Sequence, residues 1–130
     1  DFLTVGAAAP LQVAAAQALR FPEEYYADLA SFYQERRDYL LTVLNDVGFE
    51  CYKPGGAYYI MADIRPLGWS DDVEFAFHLA KEIGVAVVPG SSFYCPDNPE
   101  GKTIVRFCFC KQLSTLETAA QRLKKIKMHR

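Results

Sequence analysis

The chain lacks most of the features that would announce a role. No stretch approaches the run of about 20 apolar residues that a bilayer-spanning helix needs, so no membrane-crossing segment is expected. Histidine is scarce, with His78 inside a helical pattern and His129 in the tail. The four cysteines, Cys51, Cys95, Cys108 and Cys110, show no C-x-x-C spacing. Zinc would need further ligands and a disulfide framework a different pattern, so reduced thiols in a cytoplasmic chain are the expectation. A net positive charge is also missing. The formal balance is -2, and the only basic cluster, Lys124, Lys125, Lys127 and Arg130, lies at the extreme C-terminus, which argues against a nucleic-acid partner. No Gly-rich loop ending in Lys-Ser/Thr, no H-E-x-x-H and no G-x-S-x-G occurs, so no self-sufficient active site is legible as a motif.

What is present is enough for a core. The chain has 130 residues, 51% of them hydrophobic and 23% charged, which suits one domain able to bury roughly two-thirds of its unfolded surface. It begins without Met on an Ala-rich stretch and reads as one domain of a longer protein.

The pattern predicts the order α-α-β-β-α-β-β-α. Pro10 suits the first turn of a short helix to about Arg20. A long second helix follows from Pro22, with Tyr26, Leu29, Phe32 or Tyr33, Leu40, Val43, Leu44 and Val47 as its apolar stripe, ending at Gly48. Phe49 to Lys53 and Ala57 to Ala62 read as a hairpin-like pair of strands around Pro54-Gly55-Gly56. Ser70-Asp71-Asp72 offers cap and dipole chemistry to a helix with Val73, Ala76, Phe77, Ala80 and Ile83 on one face, stopped by Gly84. Val85 to Val88 reads as a buried strand. A long loop from Pro89 leads to a last strand, Thr103 to Cys110. Ser114 to Glu117 is a capping box for a closing helix with Leu116, Ala119, Ala120, Leu123 and Ile126 as its stripe. The fold class expected is α+β, a small antiparallel-rich sheet layered with helices.

Three places could carry chemistry. In Thr103 to Cys110, alternation puts Val105, Phe107 and Phe109 on one face and Arg106 on the other. A guanidinium fork matches a carboxylate with two parallel hydrogen bonds, so a pocket for an acid is one reading. The other is an edge or solvent-facing arginine paired with a glutamate. Pro54-Gly55-Gly56-Ala57-Tyr58-Tyr59 supplies close backbone approach and an aromatic wall, or simply a tight turn before core aromatics. Val88-Pro89-Gly90-Ser91-Ser92-Phe93-Tyr94 presents hydroxyls to a ligand, or is only a loop. Asp71, Asp72 and Glu74 cluster where a helix dipole already accounts for them.

Taken in order, several phrases are more specific than any one alone: Tyr33 to Asp38, Pro54 to Tyr59 with Ala62-Asp63-Ile64, Asp71 to Phe75, Gly84 to Tyr94, and Val105 to Phe109. Together they resemble the C-terminal small domain of class I/II pyridoxal-phosphate-dependent aminotransferases, nearest in motif to the kynurenine, glutamine and methionine enzymes. The resemblance covers nearly the whole chain, and Pro10-Leu11-Gln12 is similar to the family's helix between its domains. It implies the small domain of an aspartate-aminotransferase-like fold. Residues 1–21 would connect from a large domain, and residues 22–130 would form the small one. It also implies that Arg106 clamps the substrate α-carboxylate and that Tyr58 approaches the substrate. The family's cofactor-holding residues, a lysine, an aspartate, a tyrosine and phosphate ligands, have no counterpart here. Pyridoxal phosphate, the large domain and a homodimer are therefore implied for the full-length enzyme, acting on an amino acid and a 2-oxo acid, with no cofactor expected on this chain alone. The rival reading is a non-catalytic amino-acid-binding or regulatory module.

Overall fold

The computed structural model describes residues 6–126. Lys127, His129 and Arg130, singled out above, lie outside the described residues. Pro10 sits in the first turn of α1 (Ala9–Ala18), where its missing N–H costs nothing. The long helix α2 (Glu23–Val47) opens on Glu23 and Glu24, which suit the positive end of its dipole, and stops at Gly48, whose φ of 110° lies in the left-handed region.

The chain divides into two compact units inside α2, between Phe32 and Tyr33. The first contains α1 and the opening turns of α2. Its contacts are local: the Tyr26 hydroxyl donates to the Ala18 carbonyl at 2.6 Å, and the rings of Phe21 and Tyr25 meet edge to face at 4.9 Å. No described residue of this unit is buried, so the expected stripe is exposed at Tyr26, Leu29 and Phe32 and becomes core only from Leu40 onward.

The second unit is built on four strands, β1 (Glu50–Tyr52), β2 (Tyr59–Asp63), β3 (Val88–Pro89) and β4 (Ile104–Cys108). They pair antiparallel throughout, in the order β1-β2-β4-β3. Alternation gives the sheet two unlike faces. Ile60, Ala62, Val105 and Phe107 are buried in one core with Leu40, Leu41 and Leu44 of α2, Phe75 of α3 (Asp72–His78), and Leu116 and Leu123 of α4 (Leu113–Leu123). Each of the larger apolar side chains among them stabilises the fold by about 1.5–3 kcal/mol. The opposite face carries Tyr59, Met61, Ile104, Arg106 and Cys108, all half-buried or exposed.

Four local expectations need correction. On α3 the buried residues are Asp72, Phe75 and Ala76, followed by Leu79 and Ile83, while Val73, Phe77 and Ala80 are exposed. The cause is a π turn over Leu79–Ile83, where the Gly84 N–H donates to the Leu79 carbonyl at 2.8 Å; the wider turn rotates Ile83 back onto the core. The Val85 to Val88 segment pairs only at Val88–Pro89 and alternates half-buried with exposed, because it is the sheet edge, the one place a strand tolerates proline. The loop beyond it contains two short 3-10 turns, Gly90–Phe93 and Pro99–Thr103. The Ser114–Glu117 box does not form: α4 begins at Leu113 behind Gln112, whose carbonyl already accepts from Thr115 and Leu116, so Ser114 is inside the helix. Asp71 does cap α3, accepting from the Glu74 N–H at 2.8 Å.

Asp63 is the charged residue most deeply enclosed in the sheet, at 1% exposure. Its carboxylate accepts the Arg65 backbone N–H at 2.8 Å and Nε at 2.9 Å, and also pairs with Nη2. Burial by itself would raise this carboxyl, but the Arg65 side chain and backbone N–H outweigh it and hold the group below its ordinary range. A depressed carboxyl contributes stability above its unfolded pKa of about 3.9 and loses it as pH falls through the lower folded value. Asp63→Asn should therefore cost about 1–3 kcal/mol at pH 7, the lower end being favoured because Arg65 is exposed, with the gap to wild type closing below about pH 4. Denaturant titrations of both proteins at pH 7 and pH 3 check this, and a pH-independent gap would contradict it.

Candidate functional site

Arg106 lies on β4, an interior strand, with Met61 of β2 and Val88 of β3 as its register partners. Val105 and Phe107 on either side are buried, so alternation forces the arginine onto the other face. There its guanidinium carbon stands 4.1 Å from the Phe93 ring centroid and 4.8 Å from that of Tyr59. Such stacking is worth about 0.5–1 kcal/mol per ring at exposed sites and more where water is excluded. These contacts hold the guanidinium between two rings and use none of its N–H donors. Among the described residues no carboxylate lies within ion-pairing distance of Arg106, and its side chain donates no hydrogen bond to protein. An edge arginine neutralised by a glutamate is thus not what the fold contains. A half-buried fork with free donors between aromatic rings has the hydrogen-bonding chemistry that a planar anion requires.

Phe93 reaches Arg106 through the Gly90–Phe93 turn, and that turn is held by contacts that local sequence did not reveal. A Cβ on Gly90 would stand 2.4 Å from the Ile104 carbonyl oxygen and 2.5 Å from that of Gly101, so only glycine lets the backbone approach so closely. The carboxylate of Asp72, 2% exposed, accepts the Ser91 N–H at 2.7 Å. Asp72 therefore does more than complement a helix dipole. The available signal was its spacing: Asp72, Ala76, Leu79 and Ile83 are four, three and four residues apart and share the buried face.

Tyr58 is exposed, just before β2, and is not a core aromatic. Its carbonyl accepts the Phe109 N–H at 2.9 Å, and its ring meets that of Tyr59 edge to face at 5.8 Å, so Tyr58 borders the guanidinium pocket by way of Tyr59. The preceding turn runs through Ala57 with φ 60°, a left-handed conformation uncommon outside glycine. Ser92 is exposed, and His78 stacks on Trp69 with ring centroids 5.0 Å apart. A cavity of about 680 Å³ opens beside the site, lined among others by Tyr52, Met61, Asp63, Arg65 and Tyr94, a size that suits a small molecule.

The described residues do not fit a pyridoxal phosphate site. Every described lysine is exposed, and Lys53 faces Asp38 at 3.6 Å. None is enclosed beside a carboxylate and a set of phosphate donors.

A sequence model of the family described as aminotransferase class I and II matches residues 2–123. Methionine aminotransferase of Escherichia coli K12 is 39% identical over 126 residues, covering 97% of this chain and 32% of the enzyme. Its crystal structure matches with a TM-score of 0.80 over 95% of this chain. The crystal structure of N-succinyldiaminopimelate aminotransferase from Mycobacterium tuberculosis gives a TM-score of 0.86 at 38% identity, covering 96% of this chain and 32% of that one. Kynurenine–oxoglutarate transaminase of Dictyostelium discoideum is 35% identical over 137 residues, covering 91% of this chain and 32% of the enzyme. The chain thus spans about a third of the length of these relatives.

The Asp72 contact makes a definite expectation. Asp72→Ala removes the acceptor of the Ser91 N–H, and should lower the exchange protection of that amide by at least about tenfold, since tenfold corresponds to about 1.4 kcal/mol and a lost charged hydrogen bond costs about 1.5–3 kcal/mol. Amide hydrogen exchange resolved at Ser91 reads this directly. Unchanged protection there would show that the turn is held by something else.

Proposed function

Because the chain belongs to the class I and II aminotransferases, we propose that the whole protein moves an amino group between an amino acid and a 2-oxo acid, and that this chain is its small domain. Residues 1–21 would connect it to a large domain that holds pyridoxal phosphate, since no lysine described here is placed to do so. When bound, that cofactor supplies the electron sink for the exchange. A homodimer and a cytoplasmic location belong to the same reading.

The observation that carries the proposal is the unengaged guanidinium of Arg106 between Phe93 and Tyr59. Every amino acid and 2-oxo acid presents a carboxylate next to its reacting carbon. Arg106 takes that carboxylate by two charge-assisted hydrogen bonds, each worth about 1.5–3 kcal/mol, and so fixes which way the amino group points. Phe93 and Tyr59 hold the fork between them, and Tyr58 flanks the approach. Binding also gives the small domain a reason to close over the substrate and exclude water. The substrates are amino acids of the aromatic, sulfur-containing, glutamine, kynurenine or aspartate type, the first four favoured. The aromatic surroundings of Arg106 and the methionine and kynurenine enzymes among the relatives support that choice.

Lysine keeps the charge but loses the fork. In the whole protein Arg106→Lys should lower kcat/KM by about 10²-fold on two chemically different amino acids alike, with little change in melting temperature. Steady-state kinetics and thermal melts check this, and a variant within about threefold of wild type on both substrates would end the clamp assignment. Borohydride treatment of the whole protein with its cofactor should attach the cofactor to a lysine outside this sequence. Peptide mapping reads the position, and a label on any lysine of this sequence would overturn the division of labour.

A further inference from the structure

Cys108 and Cys110 meet sulfur to sulfur at 3.1 Å. Residues two apart in a strand have Cα atoms roughly 6.5 Å apart and share one face, so their sulfurs can turn toward each other, and here the chain also bends. It does so at Cys110: β4 ends at Cys108, and the Lys111 N–H donates back to the Phe109 carbonyl at 2.7 Å in a three-residue turn. The turn is anchored on both sides. Phe109 is buried and donates its N–H to the Tyr58 carbonyl at 2.9 Å, while the Lys111 carbonyl accepts Arg36 Nε at 3.0 Å. The sulfurs are therefore presented together by the fold.

We propose that Cys108 and Cys110 form a two-thiol site that a hydroperoxide oxidises to an intramolecular disulfide. Cys108 is exposed and, with Lys111, lines a cavity of about 510 Å³, room enough for a small peroxide. The hydrogen bond with Cys108, helped by burial, holds the proton on Cys110 and pushes that thiol above its ordinary value, with Lys111 as a smaller opposing influence on Cys110. Exposure makes Cys108 the attacking sulfur. Its thiolate attacks the peroxide, breaking the O–O bond; Cys108 is oxidised to a sulfenic acid and the peroxide is reduced to an alcohol or water. The Cys110 sulfur then attacks the sulfenic sulfur, forming the S–S bond and expelling hydroxide, which takes the Cys110 proton and leaves as water. The balance is two thiols and one hydroperoxide to one disulfide, one alcohol and one water. A dithiol reductant reverses it by exchange, as expected of an exposed disulfide.

The other two cysteines serve as controls. Cys51 is half-buried and its thiol is pushed up to about 11 by burial, so it reacts slowly. Cys95 is exposed, with no sulfur in contact among the described residues, so its sulfenic acid has no neighbouring thiol there with which to close an internal disulfide.

The inference does not depend on the proposed function and is tested without an activity assay. The reduced whole protein is treated with hydrogen peroxide, quenched, alkylated with iodoacetamide and digested. The peptide carrying Cys108 and Cys110 should be two hydrogens lighter and resist alkylation until dithiothreitol is added. Cys110→Ser should leave Cys108 as a sulfenic acid labelled by dimedone at least about tenfold more than in wild type, since a neighbouring thiol acts at high effective concentration. Full alkylation of both cysteines in the wild-type protein, at a peroxide dose that oxidises Cys95, would overturn the proposal whatever the variant does. So would a disulfide linking two copies of the protein in place of the internal one.

Discussion

Strand β4 has to satisfy two environments at once, and most of the rest of the structure follows from that constraint. As an interior strand it has partners on both sides, and its side chains alternate strictly between faces. Val105 and Phe107, with Phe109 just past its end, enter the core, where Phe107 meets Phe49 edge to face at 5.3 Å and Phe109 meets Tyr33 at 6.4 Å. Slipping the register by one residue would expose these rings and bury a guanidinium, at a cost no local contact could offset. The core thereby fixes the position of Arg106 without touching it, and Cys108 is presented on the same face by the same rule.

The surroundings of that arginine are assembled from distant parts of the chain. The β2 strand brings Tyr59, and the turn after β3 brings Phe93. The turn depends on a glycine that no side chain could replace without moving backbone, and on a buried carboxylate at the start of α3. That carboxylate faces inward because α3 and its π turn place Asp72 on the same side as Phe75, Leu79 and Ile83. A ring contact at Arg106 thus rests in part on the rotation of α3, which is how packing around a site sets its geometry.

Charge and sulfur on the outward sheet face follow similar logic. Asp63 is enclosed yet ionised because Arg65, two residues on, supplies both a backbone N–H and a fork. Arg106, enclosed to a similar half-buried degree as its neighbours Met61 and Tyr59, is given rings instead of a carboxylate. The carboxylate of Asp63 is engaged by Arg65, whereas the donors of Arg106 are engaged by no carboxylate among the described residues.

The sequence by itself determined the elements and the side of the sheet on which Arg106 stands, because periods of 2 and 3.6 and the glycines at 48 and 84 are local properties of the chain. It also carried the family, since the ordered phrases around Tyr58, Gly90 and Arg106 survive as written text. Tertiary structure alone decided which residues surround the guanidinium, that Asp72 turns inward, that Val85 to Val88 is an edge and not a buried strand, and that α4 starts before its apparent capping box. It also decided that Cys110, in the turn beyond the end of β4, meets Cys108 sulfur to sulfur. The physical reason is the same in each case: these outcomes depend on contacts between residues far apart in the chain, whose energies exceed the few tenths of a kcal/mol by which local preference favours one conformation over another.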